Sequence, residues 1–198
     1  MLGNLVVKEI TPLWLTFLRW FISVFFLVPL AHIIEKPDWN EICKNWFAIL
    51  LASISGFGGY NIVLYTALSY TSPVNATLIN TFSPGLMALV SMLVLKEKLS
   101  KLQVFGICLS FFGVIVVLSR GSFELLMQAK FNKGDMIMLI ALSLWIFYTI
   151  VVKKNTMPPF TLIAASAVFS SVILAPFAIY QGFDMNSISF PTVIAILY

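Results

Sequence analysis

The side chains in this sequence that could do chemistry are amides, hydroxyls and aromatic rings set within long apolar runs. In the run Pro73–Leu95, Thr77, Asn80 and Pro84 follow spacings of three and four, which place them on one face of a helix. Pro84 has no N–H, so the carbonyl of Asn80, beside Ser83, loses its helical partner. Inside a membrane such a carbonyl must be satisfied by protein or by water in a cavity. This face is therefore either a polar wall of a solute pathway or a kink whose polar groups bond to neighbouring helices.

Two further helical faces carry candidate ligand-contact residues. Asn61 and Tyr65 lie four residues apart, and Trp145 and Tyr148 share a face on a later helix. The aromatic pair fits the wall of a cavity and also fits a lipid-facing or interfacial position. Small residues that precede Asn61 are interpreted as allowing close helix contact: Gly56, Gly58 and Gly59.

The elements that hold these residues must be membrane-spanning helices. The chain is 60% hydrophobic and 10% charged, with a mean hydropathy of +0.99. A soluble domain would carry about 25% charged residues, so a water-soluble fold is excluded. Because a bilayer core of about 30 Å needs about 20 apolar residues per helix, the sequence predicts six spans: Leu13–Ile34, Trp46–Leu68, Pro73–Leu95, Leu102–Ser119, Met136–Val152 and Phe160–Tyr180.

Arg19 is the only Asp, Glu, Lys or Arg residue inside these six windows. It lies about 10 Å into its helix at 1.5 Å per residue. A charge at that depth is costly and by default indicates a functional site. The guanidinium could hold a substrate carboxylate, or its long stem could extend towards the start of the helix. A cavity-facing or structural role is the preferred interpretation, because an internal repeat places Ser166 at the equivalent position.

In that repeat, the segment 4–51 aligns with the segment 151–198, 147 residues later. Pro12 aligns with Pro159, and Pro29 aligns with Pro176. Five helices separate the two copies, so the second copy enters the membrane from the opposite side, as is typical of secondary transporters. The predicted fold class is all-α, a polytopic membrane helical bundle of two inverted five-helix repeats, truncated at both ends. The predicted domains are a first repeat at 1–119, a loop at 120–135 and a partial second repeat at 136–198.

Basic residues predict the orientation. Three loops carry seven of them, Lys36, Lys44, Lys96, Lys98, Lys101, Lys153 and Lys154. The opposite loops carry four, Lys8, Arg120, Lys130 and Lys133. By the positive-inside rule the first set is cytoplasmic, and the net charge of +4 requires no nucleic-acid partner.

Catalytic and metal chemistry find no support in the sequence. All eight acidic residues lie in predicted loops or at helix ends. Cys43 and Cys108 have no metal-ligand spacing and are interpreted as packing residues, and His32 stands alone at a helix end. The sequence therefore predicts no cofactor, no bound metal and no enzymatic activity.

Three stretches resemble a known family: Pro12 to Trp20, Tyr70 through Ser83-Pro84 to Leu99, and Leu102 through Gly113 to Ser119. Their order and spacing are similar to the EamA-type branch of the drug/metabolite transporter superfamily. That resemblance implies ten helices in two inverted repeats and the movement of small metabolites, often outward. This chain departs from the family pattern at Asn75 and Asn80.

The predicted function is a multi-pass transporter of the cell (inner or plasma) membrane, an exporter of small neutral or zwitterionic metabolites that works by alternating access. A non-transporting membrane scaffold and an intramembrane enzyme are the alternatives. The predicted partners are the lipid bilayer and a small-molecule substrate; the oligomeric state stays open. The predicted pathway residues are Arg19, Asn61, Tyr65, Thr77, Asn80, Ser83, Trp145 and Tyr148.

Overall fold

The computed structural model describes residues 10–71, 73–96, 98–119 and 132–182, and every regular element within these ranges is a helix. The beginning of the first predicted repeat (1–9), most of the loop at 120–135 and the end of the second predicted repeat (183–198) lie outside the described residues. The helices are α1 (Pro12–Ile34), α2 (Trp39–Lys44), α3 (Trp46–Leu68), α4 (Pro73–Thr81), α5 (Ser83–Val94), α6 (Lys101–Ser119), α7 (Lys133–Lys154) and α8 (Pro159–Gln181).

Four of these helices, α1, α3, α7 and α8, are long and apolar enough to cross a membrane. They occupy four of the six predicted windows. A fifth window is α6, and the window Pro73–Leu95 is divided between α4 and α5. The division falls at Phe82, two residues before Pro84, whose missing N–H cannot continue the helical ladder. The break that the Ser83-Pro84 pair predicts is therefore present in the structure.

A π-helical stretch, Ser53–Tyr60, interrupts α3 between the α-helical parts Trp46–Ala52 and Asn61–Leu68. Its glycines weaken the ordinary α-helical ladder. The side-chain amide of Asn61 donates to the carbonyls of Gly56 (3.2 Å) and Phe57 (2.9 Å) and so satisfies backbone groups within the stretch. Such π-helical insertions are frequently found at functional sites.

The helices α1 and α8 pack on each other in antiparallel fashion more extensively than any other pair among the described elements. At one end the Trp14 indole N–H donates to the carbonyl of Gly182 (2.8 Å), and at the other the Glu35 carboxylate accepts from Thr161 N (2.7 Å). A shift of 147 residues carries Trp14 onto Thr161 and Glu35 onto Gly182, so it exchanges the two contacts. The same shift carries the first residue of α1 onto the first residue of α8 and the last residue of α1 onto the last residue of α8.

Apolar clusters close the bundle at both ends. At one end Ile49, Met157 and Leu162 are buried together, near the contact between Glu35 and the start of α8. At the other, α3, α4 and α7 meet through Ala67, Ala76, Ile79, Met138 and Leu142. At the first of these clusters, Lys36 follows the end of α1, Lys44 is the last residue of α2, and Lys153 and Lys154 lie in the last turn of α7.

Candidate solute-pathway site

Arg19, the charged residue within the predicted membrane spans, lies at the junction of α1 and α3. The Arg19 guanidinium donates a hydrogen bond to the hydroxyl of Tyr65, whose side chain is buried, while Arg19 itself is half-buried. One residue further on, the Trp20 indole donates to the carbonyl of Phe57 (2.7 Å) in the π-helical stretch. Arg19 is therefore tied to α3 through the hydroxyl of Tyr65.

Asn61 and Tyr65 lie on one face of α3, as predicted, and both are buried. Asn61 uses its amide N–H groups within its own helix, on the carbonyls of Gly56 and Phe57. Asn61 lies on the same helical face as Tyr65, as predicted, but its N–H groups donate to the backbone of the π-helical stretch. Its contribution within the described residues is to fix the shape of α3 at the site.

A continuous series of aromatic rings joins α1, α3 and α7. Trp20 packs on Phe57 at 4.3 Å between centroids, and Phe57 meets Tyr148 edge-on at 5.7 Å. Tyr148 packs on Trp145 at 5.2 Å, and Trp145 packs on Tyr60 at 4.9 Å. The predicted pair Trp145 and Tyr148 thus faces other helices, which is the inward of the two orientations that the sequence left open.

Gly56 allows α3 and α7 to lie close together at the ring of Tyr148. A Cβ atom there would overlap the ring of Tyr148, so any larger residue would push α7 away from α3. The close helix contact predicted from the small residues before Asn61 is therefore present, with the ring of Tyr148 filling the space.

Asn80, on the polar face of α4, contacts the same series of aromatic rings. Its half-buried side chain hydrogen-bonds to the Tyr60 hydroxyl, so α4 joins the ring series. Ser83 is the half-buried first residue of α5. The side chain of Thr77 lies outside the described part of the chain. The structure thus links six of the predicted pathway residues around the π-helical stretch: Arg19, Asn61, Tyr65, Asn80, Trp145 and Tyr148. Among the described residues, Ser83 makes no hydrogen bond to this set.

Sequence reasoning missed three members of this site, Trp20, Phe57 and Tyr60, because aromatic residues in a membrane helix are equally common on lipid-facing surfaces. It also missed a buried hydroxyl pair on the other side of α3. Ser166 and Ser170 are almost fully buried on α8, and neither hydroxyl has a hydrogen-bond partner among the described residues. The period of four between these serines was the available signal.

At the far end of α1, Glu35 caps the first turn of α8. Its carboxylate accepts from Phe160 N (3.1 Å), Thr161 N (2.7 Å) and the Thr161 hydroxyl (2.8 Å). Desolvation raises the pKa of this carboxyl group, but the hydrogen bonds from Thr161 and Phe160 outweigh it and lower the pKa below its ordinary value of 4.5. The helix N-terminus favours the same charged form.

Beside this cap, an apolar cavity of about 420 Å³ lies between α1, α2 and α8, lined by residues that include Pro29, His32, Trp39 and Phe169. It contains none of the predicted pathway residues. Within the described ranges, no group of three His, Cys, Asp or Glu side chains lies close enough to hold a metal ion.

A polytopic helical membrane protein with polar and aromatic side chains gathered inside its helices is the class that this arrangement defines. Residues 1–119 match the model of the EamA-like transporter family. The chain belongs to that family.

Its relatives include proteins that are named as transporters. It is 32% identical over 115 residues to the uncharacterized transporter YyaM of Bacillus subtilis (strain 168), covering 58% of this chain and 38% of that protein. It is 30% identical over 202 residues to an uncharacterized transporter of Archaeoglobus fulgidus, covering 96% of this chain and 66% of the relative. The uncharacterized inner membrane transporter YhbE of Escherichia coli (strain K12) is 24% identical over 127 residues, covering 64% of this chain and 37% of YhbE. The chain thus spans between about a third and two thirds of the length of these relatives. No solved structure matches it.

Proposed function

We propose that this protein transports small neutral or zwitterionic organic metabolites across the cell membrane, outward, by alternating access. The observation that carries the proposal is the linked set of Arg19, Tyr65, Asn80, Trp145 and Tyr148, contributed by four helices at membrane depth. Amides, hydroxyls, a cation and aromatic faces suit solutes that combine polar and apolar parts. A scaffold would not need a cation and a broken helix at one place.

The proposed architecture is a ten-helix bundle of two inverted repeats, of which 1–119 would be the first. The pairing of α1 with α8 supports it, because these helices are antiparallel and have equivalent bounds. Their end contacts, Trp14 with Gly182 and Glu35 with Thr161, are exchanged by the repeat. In transporters of this kind, one repeat moves against the other around a site near the midplane.

The proposed orientation puts the loops that carry Lys36 and Lys44, Lys96 to Lys101, and Lys153 and Lys154 in the cytoplasm. Packing of α8 on α1 brings the first and last of these loops to one end of the bundle. A single cysteine in place of Lys154, in a protein without Cys43 and Cys108, should resist an impermeant thiol reagent added outside the cell. Rapid labelling from outside would reverse the orientation.

The pathway assignment is tested through Asn80, which joins α4 to the ring series. We expect Asn80→Leu to abolish solute efflux while the protein still inserts and is produced at the normal level, since Leu suits a membrane helix. A purely structural amide would be worth only about 0.6 kcal/mol to helix association, so its loss would leave transport mostly intact. Efflux from proteoliposomes is measured for a panel of neutral and zwitterionic solutes.

Ser143→Leu is the control, because it also replaces a polar side chain by Leu in a membrane helix, and Ser143 is exposed on α7 with its hydroxyl donating to the carbonyl of Leu139 in its own helix. Full efflux by Asn80→Leu would remove Asn80 from the pathway and leave the transporter function standing. If the wild-type protein moved no solute of the panel, the proposed function itself would be contradicted.

A further inference from the structure

Arg19 has no acidic partner in the part of the chain that the structure describes. The four acidic residues in those ranges all lie at helix ends or in the short α2: Glu35, Asp38, Glu41 and Asp135. Glu35 is bound to the start of α8, and Asp135 to Thr71 and Asn132. The cation at the site is therefore not neutralised by these carboxylates.

Within the described ranges, most of the N–H donors of the Arg19 guanidinium also have no protein acceptor. A guanidinium has five N–H donors, and one of them donates to the Tyr65 hydroxyl, a neutral acceptor. No other hydrogen bond from the guanidinium is made within the described ranges. A half-buried guanidinium with free donors is a ready partner for a planar anion, which it can bind through two parallel N–H···O bonds.

The surroundings of Arg19 determine which part of a solute would lie beside it. Trp20, the next residue, begins the ring series that continues through Phe57 to Tyr148 and Trp145. Aromatic faces accept apolar groups and also attract ammonium groups. A solute with its anionic end at Arg19 would thus extend its apolar or ammonium part along the rings.

We propose that Arg19 binds the carboxylate of the transported solute, which makes the substrate class carboxylate-bearing metabolites, amino acids among them. This inference rests on the proposed transport function and narrows it: zwitterions that bear a carboxylate are accepted, and solutes without a carboxylate are transported less well. Tyr65 positions the guanidinium by accepting one of its N–H groups. The competing explanation is that the hydrogen bond from Arg19 to Tyr65 only ties α1 to α3.

The test compares L-phenylalanine and L-leucine with their carboxamides, which lack the carboxylate, in proteoliposomes that contain the wild-type protein, Arg19→Gln, Arg19→Lys or Tyr65→Phe. We expect Arg19→Gln to lower kcat/KM for the amino acids roughly 10- to 100-fold, as is typical for the loss of a hydrogen bond to a charged group. The carboxamides should change much less. Arg19→Lys should restore part of the preference, because it restores the charge without the planar fork.

Tyr65→Phe separates the two explanations, since it removes the tie to α3 and keeps the cation. It should lower the transport of both kinds of solute, because the guanidinium is less well positioned, while the preference for amino acid over carboxamide is retained. Equal losses for both kinds of solute in Arg19→Gln, reproduced by Tyr65→Phe, would overturn the inference and make Arg19 structural. A wild-type protein that transports only solutes without a carboxylate would overturn it and leave the transport function intact, whereas a protein that transports nothing would contradict both.

Discussion

The helices α1 and α8 occupy equivalent places in the repeat but have opposite characters. Buried residues make up 6% of the membrane span of α1 and 44% of that of α8. Arg19 and Ser23 on α1 correspond to Ser166 and Ser170 on α8 under the shift of 147 residues. The first pair places a cation against Tyr65, and the second lies nearly fully buried against α3.

The two equivalent helices differ in which surfaces they bury. On α8, small residues let α3 approach closely: the Ser53 hydroxyl donates to the carbonyl of Ser166 (3.0 Å), and Gly58 faces the hydroxyl of Ser170. On α1, large aromatic residues such as Phe25 and Phe26 are exposed, which suits a lipid-facing or helix-facing surface. The serine positions of α8 thus pack closely against α3, whereas the equivalent positions of α1 include Arg19 at the candidate site.

The largest effect expected from this comparison follows from adding bulk to each helix. Ser170→Leu should destabilise the protein by about 1–3 kcal/mol, because the side chain would enter a packed interface beside Gly58. Ser23→Leu, at the equivalent position of α1, should cost much less, since Ser23 is only half-buried. Thermal unfolding of the purified variants in detergent measures both, and equal losses would mean that α1 is as tightly packed as α8.

A smaller effect concerns the contacts that the repeat exchanges. Because the pKa of Glu35 is lower in the folded protein, its carboxylate contributes stability that is present above the ordinary value of 4.5. That contribution is lost as the pH falls from 4.5 through the lower folded pKa. Glu35→Gln should remove this acid-dependent loss and, at neutral pH, cost less than about 1 kcal/mol, because solvent screens the charge of this carboxylate and Gln keeps an acceptor for Thr161.

Trp14→Phe is the control for the other end of the helix pair, because it removes the hydrogen bond to Gly182 without removing a titratable group. It should reduce stability by a similar or smaller amount at every pH. Unfolding midpoints measured from pH 3 to 7 would separate the two variants. An unchanged acid-dependent loss in Glu35→Gln would exclude Glu35 as its source.

The sequence predicts the helices well, since length and apolar composition determine them. The window Trp46–Leu68 has the bounds of α3, and Pro84 correctly predicts the break between α4 and α5. The π-helical stretch could not be predicted, because it depends on a hydrogen-bond ladder and on the Asn61 amide bonding within it. The partners of Arg19 and Asn80 could not be predicted either, since they depend on how α1, α3 and α4 pack together.

The central claim, that the ring series borders a pathway open alternately to each side, is tested most directly by a cysteine at Tyr148. In a protein without Cys43 and Cys108, Tyr148→Cys should react with an impermeant thiol reagent added to either face of sealed vesicles. A transported amino acid should slow the reaction, while Lys154→Cys should react from the cytoplasmic face only. Absence of labelling from both faces, or labelling that no solute alters, would contradict the account.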